Sequence, residues 1–375
     1  MNAAIAHGGG PTAVLNASLA GVCEAWTGGR LFGARFGARG ILADDFVELS
    51  DVSAEVMAEV RRAPGSVIGS SRQPLTDEDI ETMRRVLRAR EIGVLFYTGG
   101  NGSMETALRL SRAAPDLQVI GIPKTIDNDL AVTDHTPGYP SAARFFIHAV
   151  RDIGLDNRAL PPPISVVEVL GRNSGWIAAA TALARSGPDD APHLIYFPER
   201  RVSLNQITTD VEGVYRRLGR VVIAVCEGQL DDRGQPFGAD VDRAESAVHR
   251  LASNLGHTLA AALTAKLGLR ARAEKPGLLG RSCGEMASAV DRAEAFECGR
   301  AAVAASRRGE SGKMVTLLGH GCGTGLTEFG NVARVERPVP AEWISAEAND
   351  VGEGFREYLL PLVGKLDLSP SLEIR

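Results

Sequence analysis

The densest run of chemistry-bearing residues is PKTIDND at 123–129, directly after the apolar VIGI. Two aspartates at i and i+2, Asp127 and Asp129, can divide labour. One takes a proton from a hydroxyl while the other helps hold a metal or orients its partner. Lys124 beside them can neutralise phosphate charge. An Asx-type turn would use the same letters, since Asp and Asn favour turns anyway. Two glycine clusters accompany this run. GGGPTAVLN (8–16) follows a short apolar start and precedes the helical ASLAGVCEAW. Consecutive glycines let backbone approach a phosphate, and a following helix offers free N–H groups. The segment is neither a GK[ST] loop nor GxGxxG, and a plain turn is an equal reading of it. TGGNGSMETA (98–107) repeats the arrangement, with Ser103 expected to cap the next helix and Thr106 in its first turn. Two such turns in one domain favour a shared polyphosphate cradle. GRNSG (171–175) and EGQ (227–229) complete the set, and the forked guanidinium of Arg172 can reach a transferring phosphoryl group or form a salt bridge between lobes.

Positioning these clusters requires strand ends. IGVLFYTGG (92–100), LQVIGIPKT (117–125), PISVVEVLG (163–171), PHLIYFP (192–198) and RVVIAVCEG (220–228) are rich in Val and Ile and end in Gly, Pro or polar residues. Helical stretches lie at 77–90, 103–113, 174–185 and 204–217. This alternation predicts an α/β fold with mainly parallel sheets buried on both faces. Ligands in such sheets bind beyond the carboxyl ends of the strands. All five clusters fall there, the pattern of one shared cleft. DDRGQPFGAD (231–240) reads as a surface loop, RRGESGK (307–313) as a turn before the late strand MVTLLG, and RPVPAEW in the tail as chain crossing the surface.

The net charge of −5 carries no like-charge block, so a protein that coats nucleic acid is not expected. An acidic chain that binds phosphate must gather its cations locally. No basic leader and no run of about 18 apolar residues appear, so no membrane partner is expected and the expected location is cytoplasmic. Five cysteines without CxxC spacing argue for a reduced protein without a zinc site. Seven histidines show no metal spacing. His7, near the glycine turn, reads as structural in preference to a polar neighbour of the donor, and His320 opens a third glycine-rich turn. Asp291 and Arg292 are expected to pair near a helix start, and Trp26, Trp176 and Trp343 to serve packing.

Taken together, GGGPTAVLN, GGNGS, PKTIDND, VVEVLGRNSG, the EG at 227–228 and PGLLGRS…ASAVDRAEA resemble the phosphofructokinase family in order and spacing, from residue 5 to about 300. PKTIDND and VVEVLGR are the specific parts, and the likeness fades after about residue 330. The resemblance implies two Rossmann-like three-layer α/β/α lobes with the active site in the interlobe cleft. It places a donor-binding lobe at 1–140 plus about 255–305, a sugar-phosphate lobe at about 141–254 plus 306–335, and a C-terminal extension at 336–375. It implies Mg²⁺, a phosphoryl donor (pyrophosphate or ATP) and a sugar phosphate as acceptor, most simply fructose 6-phosphate. By that resemblance Asp127 is the general base, Asp129 supports metal and loop, and Lys124 and Arg172 complete the catalytic group. Gly9, Gly10, Arg72, Gly100, Asn101, Gly102 and Ser103 face the donor, with Asn101 and Asp129 at the metal. Thr125, Leu170, Gly171, Arg172, Glu227, Arg272 and Arg281 face the sugar phosphate. In the family the Arg272 position commonly reaches across from a neighbouring subunit, which implies a homodimer or homotetramer.

On the donor, Lys124 and Thr106 resemble the pyrophosphate-using branch, whereas Gly102 matches ATP users; pyrophosphate is the favoured expectation. Asn101 stands where most relatives carry a metal-contacting Asp. Pro163 and Leu278 replace two polar contacts to the acceptor's distal end, leaving Arg272 and Arg281. A kinase of another sugar phosphate or polyol, and a catalytically silent sensor, are the competing readings.

Overall fold

The computed structural model describes residues 1–160, 163–237, 254–347 and 349–370. Strands β1–β5 occupy Asn2–His7, Leu31–Ala34, Phe46–Glu48, Ile92–Gly99 and Gln118–Pro123. Strands β6–β9 occupy Ile164–Val169, Leu194–Tyr196, Val221–Cys226 and Ala271–Glu274, and β10 and β11 occupy Lys313–Leu317 and Thr324–Glu328. Helices α1–α6 span Leu15–Ala25, Ala38–Leu42, Ala54–Arg62, Asp77–Ala89, Asn101–Ala113 and Tyr139–Ala159. Helices α7–α12 span Trp176–Ala180, Leu204–Leu218, Leu255–Leu267, Leu279–Ser282, Ala289–Arg307 and Glu353–Val363. The five strand expectations and the helices at 77–90, 103–113 and 204–217 are observed. The stretch at 174–185 divides into α7 and a 3₁₀ turn at Thr181–Ala184. Residues 238–240 of the expected loop at 231–240 lie outside the described residues. Among the described residues no helix is long and apolar enough to cross a membrane.

Two compact units form. The first comprises Met1–Ser141 and Arg281–Arg337. Its seven-stranded sheet runs β11-β10-β5-β4-β1-β2-β3, with a parallel centre and an antiparallel strand at each edge. Period-2 alternation sends the apolar residues of β1 and β4 to both faces. Ala4, Ala6, Leu95 and Tyr97 pack with Met83 and Leu87 of α4 and Met104 and Leu110 of α5. Ala3, Ile5, Val94 and Phe96 pack with Leu19 and Val22 of α1 and Ala302 and Val303 of α11. The result is helix–sheet–helix.

The second unit comprises Ala142–Gly280 and Pro338–Arg375, with the parallel sheet β7-β8-β6-β9. One face packs Ile164, Val166, Ile223 and Val225 against Ile207 and Val211 of α8 and Leu255 and Leu259 of α9. Helix α7 packs on β7 and β8, and α12 packs on α7.

The expected boundaries change after residue 254. Helix α9 and β9 join the second unit because β9 pairs with β6, and residues 306–337 join the first because β10 pairs with β5. The tail from 338 is part of the second unit's core rather than an extension: Trp343, Phe355 and Tyr358 ring the buried Trp176 at centroid distances of 6.0, 6.2 and 5.6 Å.

Candidate active site

In the first sheet the chain runs outward from β1 through β2 on one side and returns to β4 and β5 on the other. Such a switch point leaves a crevice beyond the carboxyl ends of adjacent parallel strands. The ends of β1, β4 and β5 carry GGG, GGNGS and KTIDND, and backbone hydrogen bonds lock them side by side. Gly8 N donates to Thr98 O at 2.7 Å, and Lys124 N to Gly99 O at 3.1 Å. The two glycine turns touch through Ser103, since a Cβ on Gly8 or Gly99 would stand 2.2 or 2.0 Å from its Oγ. Ser103 is therefore not the expected cap: α5 starts at Asn101 after Gly100, and Ser103 is its third residue, turned inward. Gly9 is held from behind, its N donating to Ser71 O at 2.9 Å and its O accepting from Ser70 Oγ at 2.7 Å.

Three cations converge on this turn. Lys124, 3% exposed, donates from Nζ to Gly8 O and Gly10 O, both at 2.8 Å. Burial and the charge of Arg72 push its pKa down to about 7, against the opposing pull of Asp127 and Asp129. A Cβ on Gly10 would lie 2.7 Å from Arg72 Nη2 and 2.8 Å from Arg281 Nη1. Arg281, expected to face the sugar phosphate, thus lies at the glycine turn within the first unit. A buried ammonium and two guanidiniums around exposed backbone make a preformed anion site.

The carboxylates stand beside it. Asp127 N donates to Thr125 Oγ1 at 3.1 Å, and the Thr125 backbone bridges to Gly138. Asp129 Oδ2 accepts from Asn101 Nδ2 at 2.9 Å. Asp129 Oδ1 and Asn101 Oδ1 are both shut off from solvent without a hydrogen-bond donor. Burial, then the charges of Asp127 and Glu336, push Asp129 up to about 7. Two orphaned acceptor oxygens on neighbouring side chains are what a hard cation uses. No group of three His, Cys, Asp or Glu residues that could hold a metal occurs among the described residues.

The loop from 125 to 138 is tied down by residues the sequence reading assigned otherwise or passed over. Asp291 accepts from Gly138 N at 2.9 Å and Ser141 N at 3.0 Å, while Arg292 reaches Gly284 O. The expected Asp291–Arg292 pair does not form among the described residues. Buried His135 bridges Asp134 at 2.8 Å and Glu294 at 2.6 Å. Burial alone would lower its pKa, but those two carboxylates hold it up at about 9. Single residues separated by more than a hundred positions leave no local signal; only the acid opening the ASAVDRAEA helix pointed at Asp291. His7 is buried at the end of β1 and pairs with Ser66 Oγ at 2.8 Å.

In the second unit, Leu170, Gly171 and Arg172 follow β6, and Glu227 follows the adjacent β8. Glu227 Oε1 accepts from Gly171 N at 3.4 Å and Arg172 N at 3.5 Å. Arg172 is held at φ +36°, a left-handed conformation that costs energy for a residue with a side chain. A Cβ on Gly228 would come within 1.3 Å of Arg172 O, which explains the EG pair. Arg272 is not brought to this cluster. It pairs with Ser165 at the start of β6, is half-exposed, and lies 3.9 Å from Glu274. Leu278 is exposed, and Pro163 O accepts from Val221 N at 2.6 Å.

The chain is similar to known proteins over most of its length. A model described as Phosphofructokinase matches residues 2–306. The pyrophosphate–fructose 6-phosphate 1-phosphotransferase of Rhodospirillum rubrum is 38% identical, over 96% of this chain and 94% of that protein. The protein of that name from Halomonas elongata is 33% identical, over 98% and 93%. The crystal structure of a pyrophosphate-dependent phosphofructokinase from Marinobacter aquaeolei superposes with a TM-score of 0.87 at 29% identity, covering 99% of this chain and 94% of that one.

Proposed function

Because this chain belongs to the phosphofructokinase family, we propose that it moves a phosphoryl group from pyrophosphate to the 1-hydroxyl of fructose 6-phosphate. The observation that carries this reading is the convergence of Lys124, Arg72 and Arg281 on the glycine turn beside Asp127 and Asp129. Pyrophosphate lies on the Gly9–Gly10 backbone and on Gly100, Gly102 and α5, with its charge met by the three cations. Asp127 takes the proton of the acceptor hydroxyl as that oxygen bonds to the nearer phosphorus. The bridging P–O bond breaks, orthophosphate leaves against Lys124, and the proton passes from Asp127 to solvent. Asn101 Oδ1 and Asp129 Oδ1 are the oxygens that would hold Mg²⁺, which would supply charge neutralisation at the phosphoryl oxygens. Arg172 steadies the transferring group, and Leu170, Gly171, Thr125 and Glu227 face the sugar. Arg272, which pairs with Ser165 at the opposite end of β6 from Leu170 and Gly171, serves a neighbouring subunit of a homo-oligomer.

One observation favours a second donor, ATP. A Cβ on Gly102 would meet nothing within 4 Å, so space for a larger donor is open there, although Thr106 Oγ1 donates to Gly102 O at 3.2 Å and crowds the same side. Purified protein given Mg²⁺ and fructose 6-phosphate is expected to turn over with pyrophosphate and at least about tenfold more slowly with ATP. The reverse ranking refutes the donor assignment. Asp127→Asn is expected to lower kcat by about 10²–10⁴-fold, as loss of a general base does; undiminished turnover removes Asp127 from the chemistry.

A further inference from the structure

Residues 124–138 connect β5 to α6 mostly as irregular backbone, yet they carry both carboxylates of the proposed site. Irregular backbone has no ladder partners, so its buried carbonyls must be satisfied individually. One distant residue does this for four of them. Arg337 donates from Nε and Nη2 to Asn128 O at 3.3 and 3.1 Å, and from Nη1 to Thr133 O at 2.9 Å and Asp134 O at 2.5 Å. Its own backbone N donates to Asp129 O at 2.8 Å. The preceding Glu336 forms an isolated antiparallel bridge with Leu130. Asn128, between the two aspartates, is fully buried at φ +53° and accepts from Thr136 N at 2.9 Å through its side chain. The loop is thus folded around Asn128, and the peptide between Asp127 and Asp129 is gripped by a guanidinium. A planar fork with five N–H groups reaches three carbonyls at once; an ammonium of similar reach presents one centre.

We propose that Arg337 is a positioning residue for the Asp127 and Asp129 carboxylates, acting by clamping the carbonyls of residues 128, 129, 133 and 134. This rests on the reading of Asp127 as the base, and it concerns a residue beyond the 2–306 segment that the family model matches. The side-chain hydrogen bonds of Arg337 go to carbonyls of this loop. Its loss lets the carboxylates drift while the glycine turn and its cations stay in place. A misplacement of about 1 Å in a reacting group costs on the order of 100-fold in rate.

The test uses the full chain as wild type, Arg337→Ala, Arg337→Lys and a neighbouring control, Arg334→Ala, whose side chain pairs with Glu105. With pyrophosphate, Mg²⁺ and fructose 6-phosphate, Arg337→Ala is expected to lose about 10- to 100-fold in kcat. Its KM for pyrophosphate should stay within about twofold, because the anion site is untouched. Arg337→Lys should fail to restore kcat, and Arg334→Ala should resemble wild type. Amide hydrogen exchange supplies a readout independent of turnover: the 124–138 segment should exchange at least about tenfold faster in Arg337→Ala, with β1 and β4 unchanged. Unchanged exchange, or an active wild type whose kcat survives Arg337→Ala, overturns the proposal. A wild type inactive with every donor refutes the phosphotransfer reading instead, and exchange alone then decides the clamp. Should Arg337→Ala not fold, Arg337→Lys serves both arms.

Discussion

Lys124 has two jobs that pull on each other. Its ammonium ties the carbonyls of Gly8 and Gly10 together, and it is the cation proposed to meet the leaving phosphate. With its pKa pushed down to about 7, chiefly by burial, it loses its charge as pH rises through neutrality in the empty site. Bound pyrophosphate would restore that charge, so the KM for pyrophosphate should rise as pH increases through about 7. Lys124→Met should remove this pH dependence and lower kcat by about 10²–10³-fold, the scale for losing one preorganised donor; a pH-independent KM in the wild type would contradict the assignment. Gly228 offers a sharper structural prediction. Any side chain there collides with Arg172 O, so Gly228→Ala must displace the Arg172 turn. Turnover should fall steeply while the fold persists, as checked by circular dichroism. At this scale the glycine turns and PKTIDND were legible, because strand–glycine–helix order and clustered carboxylates are local signals. Arg337, Asp291 and His135 were not read in the roles they hold, because each acts on residues that only folding brings near.

Among the elements, the strands that could be read were the continuously apolar ones at sheet centres. β4, β5, β6 and β8 are buried on both faces, so hydrophobicity alone marks them. β9 (ARAE) is a four-residue partly exposed edge strand, and β2 and β3 are as short, so their composition says little. The β5–α6 connection shows how an element without regular structure is held by charge. His135 is raised to about 9 in the fold against an ordinary 6.5. Its ion pairs with Asp134 and Glu294 therefore contribute their full stability below about pH 6.5 and lose it as pH rises through about 9. The melting temperature of wild type should exceed that of His135→Gln most at pH 6, and the gap should close toward pH 10. A constant gap would mean the imidazole acts only by shape.

For the whole molecule, the division into units was the part least accessible to sequence, since nothing local states that β10 pairs with β5 or that α12 packs on α7. Phe355, fully buried against Trp176, Trp343 and Tyr358, tests the placement of the tail. Phe355→Ala should cost about 3–5 kcal/mol, the range for a buried phenylalanine, measured by denaturant unfolding. A loss under about 1 kcal/mol would show that the tail is dispensable. The interleaving of the two units also sets an order on synthesis. When the ribosome has released residues 1–141, the first sheet has five strands and β5 is an open parallel edge. The neighbour it needs, β10, emerges only after roughly 170 further residues. The second unit waits longer still, for the tail that follows Pro338. A nascent chain of this protein therefore carries an uncapped edge and an uncovered apolar face until those later segments have been made, a window in which pairing with other chains competes with folding.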